Sequence, residues 1–126
     1  MAIVGIERDT GRPVIWTGLH RIDWARRKFE IGYWVRQSAM GQGYATEATN
    51  ALTRYAFDVL GAQRVEIDHA EGNEASRKVI TKLGFAFESA RKNALLLPGG
   101  VITDARSYAR VDKSDLPPLD VQWGPP

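Results

Sequence analysis

The 126-residue chain contains no cysteine. That excludes a disulfide framework, a thiolate nucleophile and a cysteine-ligated zinc site. It has no run of apolar residues long enough to cross a bilayer, and its opening, MAIVGIERD, lacks the basic start and apolar stretch of a secretion signal. A cytoplasmic protein without membrane contact is expected. Charge of one sign is also scarce: 17 basic and 15 acidic residues leave +2. That bias suits an anionic ligand but falls far short of the basic stripe, interleaved with aromatics, of a nucleic-acid binder. No nucleic-acid partner is expected. The one basic triplet, at 26–28, reads as a solvated hairpin end. With 44% hydrophobic and 25% charged residues, the composition is that of one globular domain with a real core.

What is present centres on residues 29–60, FEIGYWVRQSAMGQGYATEATNALTRYAFDVL. The first seven residues alternate, with aromatic and β-branched side chains that suit a pleated surface. Gly41 and Gly43 follow. From Tyr44 the apolar spacing becomes helical, through Ala48, Leu52, Tyr55 and Val59, and Gly61 stands where a helix ends. A strand that feeds a helix through glycines leaves backbone N–H groups at the helix start, where the dipole also favours an anion such as phosphate. A tight turn without a ligand would use the same residues.

Around this run, residues 2–8 read as a strand and 10–13 as a turn. Residues 14–23 read as a second strand, in which Gly18 suggests a bulge or a close backbone approach. Three strands with short connections imply an antiparallel meander. Residues 64–69 alternate as a half-buried strand, which a preceding helix should lay parallel to 29–35. Asn73 then looks like the N-cap of a helix over 74–83, with Ala75, Val79, Ile80 and Leu83 inward and Gly84 at its end. Another strand opens at 85–87, and a turn at 98–100 leads to a last strand over 101–111. The expected domain is 1–112; residues 113–126, with four prolines, form a tail without regular structure.

Two segments carry a resemblance to a known family. IGYW, with Arg36 and GQGYATEA after it, and then NEASRKVITKLGF, resemble the GNAT N-acetyltransferases, most closely the RimJ/RimL branch that acetylates ribosomal-protein N-termini and other amines. The resemblance spans residues 3–111. It implies an α+β fold: a strongly twisted, mostly antiparallel sheet with one parallel pair splayed around an acetyl-CoA site, flanked by helices. It implies acetyl-CoA as acyl donor, an amine acceptor and no metal. Met40, Gly41, Gln42, Gly43, Tyr44 and Ala45 match the loop that holds the pyrophosphate through backbone amides. Ser38 stands where the family often has Gln or Arg. Val35 and Arg36 would flank the pantetheine arm on one side and residues 68–70 on the other. Asn73 matches the asparagine that hydrogen-bonds the pantetheine, a role compatible with capping. Arg77 and Lys78 could approach the CoA phosphates or be exposed helix charge.

For catalysis, Glu30 is the first candidate base, since several GNAT enzymes carry a glutamate acting through water on the strand leading to the loop. Alternation puts it on one face with Gly32, Trp34 and Arg36, and pairing with Arg36 or a neighbouring strand is its structural alternative. Ser76 resembles the serine that RimL-like enzymes place near the thioester sulfur; a first-turn serine can also simply bond to backbone. Ile80 stands where many GNATs have a tyrosine acid. His69 reads as a core-edge histidine and Glu71 as a loop acid near the same spot. GNAT domains normally begin with a strand and two helices that form much of the acceptor pocket, and this chain has no residues for them. The expected function is acetyl transfer from acetyl-CoA to a primary amine of a small molecule or a protein N-terminus. The alternative is a non-catalytic acyl-CoA-binding or interaction module. Exposed core on a short domain would favour a homodimer. A dinucleotide oxidoreductase fits poorly, because Thr46 replaces the third glycine of that fingerprint.

Overall fold

The structure is a computed structural model and describes residues 2–6, 10–35, 40–41 and 43–119. The elements follow in the order β1 (Ala2–Ile6), β2 (Pro13–Asp23), β3 (Lys28–Val35), α1 (Tyr44–Asp58), β4 (Arg64–Ala70), α2 (Glu74–Lys82), β5 (Ala86–Leu97) and β6 (Val101–Arg110). The six strands form one sheet, ordered β1-β2-β3-β4-β6-β5. Every neighbouring pair is antiparallel except β3–β4, which the α1 crossover makes parallel. This is the mixed α+β sheet expected from the chain. Among the described residues no helix is long and apolar enough to cross a membrane.

Alternation decides which face of the sheet is covered. In β4, Val65, Ile67 and His69 are buried while Arg64, Glu66 and Asp68 are half-exposed. In β3, Phe29 and Ile31 point the same way as Val65 and Ile67. On this face they meet Leu52 and Ala56 of α1, Ile80 of α2, and Leu83 and Phe85 beyond α2, in a core almost closed to solvent. Leu116 joins the same core, although residues 113–119 form neither strand nor helix. The carbonyl of Pro117 is held by Asn50 Nδ2 at 2.9 Å and Arg54 Nη2 at 2.6 Å, both from α1.

Two local features differ from the sequence expectation. Gly18 stays in register opposite Gly32, and the irregularity falls between His20 and Asp23, where Arg21 has φ 47°. The strand needs its extra twist beside the tight turn at 24–27, and a bulge at the strand end supplies it. Helix α1 stops at Asp58, because the amides of Val59 and Leu60 both fall on the Tyr55 carbonyl.

The end of α2 is built around Gly84. Its φ is 77°, a left-handed conformation that ends the helix. The buried guanidinium of Arg110 donates from Nη1 to the Leu83 carbonyl at 2.6 Å, and a Cβ on Gly84 would strike that nitrogen. A cation at a helix C-terminus also suits the dipole. Gly84→Ala should therefore cost about 1–2 kcal/mol of backbone strain plus displacement of Arg110. A clearly lower urea midpoint with an unchanged slope is the expected result; an unaltered midpoint would contradict this account.

Candidate functional site

Strands β3 and β4 pair over only four positions, from Lys28 opposite Arg64 to Ile31 opposite Ile67. Beyond them β3 stays with β2 as far as Val35 opposite Ile15, and β4 stays with β6 as far as Ala70 opposite Ala105. The two strands thus part company. At the opening lies a cleft of about 530 Å³, within the range of small-molecule sites. Tyr33 and Trp34 of β3 form one wall, Met40, Gly41 and Gly43 with the start of α1 another, and Asn73, Ser76 and Lys78 a third.

The loop wall contains most of the expected pyrophosphate residues. Gly41 and Gly43 have φ 79° and 81°, and a Cβ on either would meet open space. Their glycine requirement is therefore conformational, and it leaves the backbone uncovered on the cleft side. Gly43 is the N-cap of α1 and offers no side-chain cap. The first amides of any helix lack acceptors within it, so this end suits an anion. Met40, Tyr44 and Ala45 also line the cleft. Val35 ends β3 opposite Ile15. Arg36, Ser38 and Gln42 lie outside the described residues.

On the opposite wall, Asn73 caps α2 as its sequence suggests: Oδ1 accepts from the Ser76 amide at 3.2 Å. The side-chain NH2 remains the part of Asn73 that could address a ligand. Lys78 faces the cleft, whereas Arg77 is tied to Glu74 at 2.7 Å, which holds the Glu74 carboxyl below its ordinary range. The Ser76 hydroxyl accepts a hydrogen bond from the Tyr33 phenol at 2.9 Å. Burial pushes the Tyr33 phenol up, and the bond to Ser76 acts the other way.

Tyr33 was missed by the sequence reading, although a signal was there. Alternation places it on the same face as Phe29 and Ile31, and an inward tyrosine needs a partner for its hydroxyl.

Glu30 lies on the other face of the sheet. Its carboxylate is 11% exposed, 3.5 Å from His20 Nε2 and 3.3 Å from Arg21 Nη1. The His20 ring lies over Gly32, and Trp34 packs on Trp16 with ring centroids 5.0 Å apart. The two catalytic candidates, Glu30 and Ser76, are thus not side by side; the sheet separates them. His69 is buried, with Nδ1 on the Ala70 carbonyl at 2.7 Å and Nε2 on the Tyr108 hydroxyl at 3.1 Å, as a core-edge residue should be. Glu71 is paired with Arg106 at 2.7 Å. Ile80 is wholly buried in the core.

Comparison with known proteins accounts for this geometry. The model of the acetyltransferase (GNAT) domain matches residues 1–86, more than half of the chain. The chain belongs to the GNAT acetyltransferase family, and its likeness to ribosomal-protein acetyltransferases agrees with the RimJ/RimL-like branch. It is 42% identical over 81 residues to the provisionally named ribosomal N-acetyltransferase YdaF of Bacillus subtilis (strain 168), covering 64% of this chain and 44% of that protein. To the ribosomal-protein-serine acetyltransferase of Escherichia coli (strain K12) it is 32% identical over 92 residues, covering 73% and 51%. The solved ribosomal-protein-S5-alanine acetyltransferase of Vibrio fischeri superposes with a TM-score of 0.82 over 93% of this chain and 63% of that one; at 21% identity it shows the fold. The chain spans about half the length of these two curated relatives.

Asn73→Ala removes the acceptor for the Ser76 amide and should cost about 1 kcal/mol. Faster hydrogen exchange confined to the first turn of α2 is the expected signature; exchange unchanged at Ser76 would show that the cap contributes nothing.

Proposed function

We propose that the chain takes an acetyl group from acetyl-CoA and transfers it to a primary amine, of a small molecule or of a protein N-terminus. The observation that carries this reading is the parting of β3 and β4 over a cleft bounded by a glycine-led helix start and by the Asn73–Ser76 turn. Backbone amides around Gly41, Gln42, Gly43, Tyr44 and Ala45 would hold the pyrophosphate, with Lys78 adding positive charge. The pantetheine arm is an extended chain with two amides. It would run past Met40, Val35 and Arg36 in the gap, pairing with strand-edge groups that β3 no longer shares with β4, and with Asn73.

In the reaction the amine lone pair attacks the thioester carbonyl, a C–N bond forms, and collapse of the adduct breaks the C–S bond. Nitrogen gives up one proton and sulfur gains one, so no net acid or base is consumed. Glu30 would receive the nitrogen's proton through water, from its own face of the sheet. The Ser76 hydroxyl would protonate the departing thiolate from the helix face. The gap between β3 and β4 is the passage joining the two sides. General acid and base assistance of this kind contributes about 10²–10⁴-fold, and positioning in the gap supplies the rest. The names of the two ribosomal-protein relatives make a protein N-terminus the first acceptor to try.

One observation favours a second reading, acyl-CoA binding without transfer: Glu30 is already held by His20 and Arg21. Calorimetric titration with acetyl-CoA should show one-to-one binding, weakened about tenfold or more (about 1.4 kcal/mol) by Gly43→Val. A folded chain that fails to bind would overturn both readings. Release of CoA thiol should then be followed with a serine-initiated peptide, an alanine-initiated peptide and spermidine. If the chain is an enzyme, Glu30→Gln lowers turnover about a hundredfold and keeps acetyl-CoA affinity. If it only binds, neither form turns over any of the three.

A further inference from the structure

Ser76 raises a question that its position in the cleft does not answer. A serine in the first turn of a helix commonly turns its hydroxyl back onto a nearby carbonyl, which would waste its proton. The neighbouring carbonyls already have partners: Gly72 O accepts from the Glu74 amide at 3.0 Å, and Asn73 O from the Arg77 amide at 3.1 Å. The serine oxygen instead receives the phenol of Tyr33, 43 residues earlier, from across the cleft floor. Tyr33 stands two residues past Ile31, the last position at which β3 pairs with β4.

We propose that Tyr33 is a positioning residue for Ser76: its phenol occupies one lone pair of the serine oxygen and so directs the serine's own proton into the cleft. The proposal rests on the acetyl-transfer reading given above. A hydroxyl has one proton and two acceptor sites. A phenol is more acidic than an alkyl alcohol, so the proton in this bond belongs to Tyr33 and the accepting oxygen to Ser76. Donation from Tyr33 polarises the serine O–H and strengthens it as a donor, which is what a departing thiolate needs. Burial of Tyr33 favours the protonated phenol, so the donor stays loaded across the neutral range. As Ser76 gives its proton to the sulfur, the phenol proton passes to the serine oxygen and cleft water returns one to Tyr33, so no alkoxide is left behind.

The test is a double-mutant cycle on the full chain, with acetyl-CoA and whichever of the three acceptors above is turned over. Tyr33→Phe deletes the phenol oxygen alone, and Ser76→Ala the hydroxyl. The proposal expects Tyr33→Phe to lower kcat about tenfold, with the KM and Kd for acetyl-CoA within about twofold. Because Tyr33 acts only through Ser76, the double variant should be no slower than Ser76→Ala, and Ser76→Thr should keep the sensitivity to Tyr33→Phe. Losses that multiply, or a change confined to KM, would overturn it. A second measurement stands whether or not Tyr33→Phe folds well. With 13C-labelled tyrosine, the Tyr33 phenol should titrate higher in Ser76→Ala than in the unaltered chain; identical titration would also overturn the proposal. Failure of the unaltered chain to bind acetyl-CoA would remove the transfer reading and this proposal together. Turnover by a Tyr33→Phe chain equal to that of the unaltered one would remove the proposal alone.

Discussion

Everything at the site depends on how short the β3–β4 ladder is. A parallel pair joined by a helical crossover ordinarily continues until one strand ends. Here it stops after Ile31 and Ile67 while both strands run on, because each has a stronger claim elsewhere, β3 on β2 and β4 on β6. Backbone groups on the two inner edges then face a gap, and a buried edge without partners is costly. An extended ligand carrying amides of its own can occupy that position as a missing strand would. The same parting sets the starts of α1 and α2 around one cleft, since each helix follows one of the diverging strands.

The sheet also sorts the chemistry. Alternation along β3 sends Glu30, Gly32 and Trp34 to one face, and Phe29, Ile31 and Tyr33 to the other. Glu30 and Ser76 thus keep separate surroundings on opposite faces: ion pairs for Glu30, a hydroxyl pair for Ser76. A one-residue slip of β3 would exchange these sets. The register of the β2–β3 pair therefore decides which of these side chains meet the helices and which meet β2.

Local pattern carried the elements, and with them the loop and helix starts that line the cleft. The 44–60 spacing, the capping Asn73 and the alternation at 64–69 are signals between residues close in sequence, and the structure follows them within two residues at each end. What the sequence hid is long-range. That Tyr33 meets Ser76, that Arg110 closes the end of α2 over Gly84, and that Glu30 takes partners from β2 are contacts across 9 to 43 positions, fixed by topology rather than by spacing. The bulge at Arg21 escaped for another reason: an arginine at positive φ is set by the twist of its strand, and nothing in its side chain announces it.

The segment around Leu116 has a consequence for the order in which the domain can be finished. Its side chain completes the core beside α1, and the carbonyl of Pro117 is the shared acceptor of Asn50 and Arg54. Asn50 is almost wholly buried, so before that carbonyl arrives its amide has only water to turn to. During synthesis both strands of the last hairpin leave the ribosome before residue 117 does. The helix that opens the cleft is thus made before the last hairpin and sealed only after it.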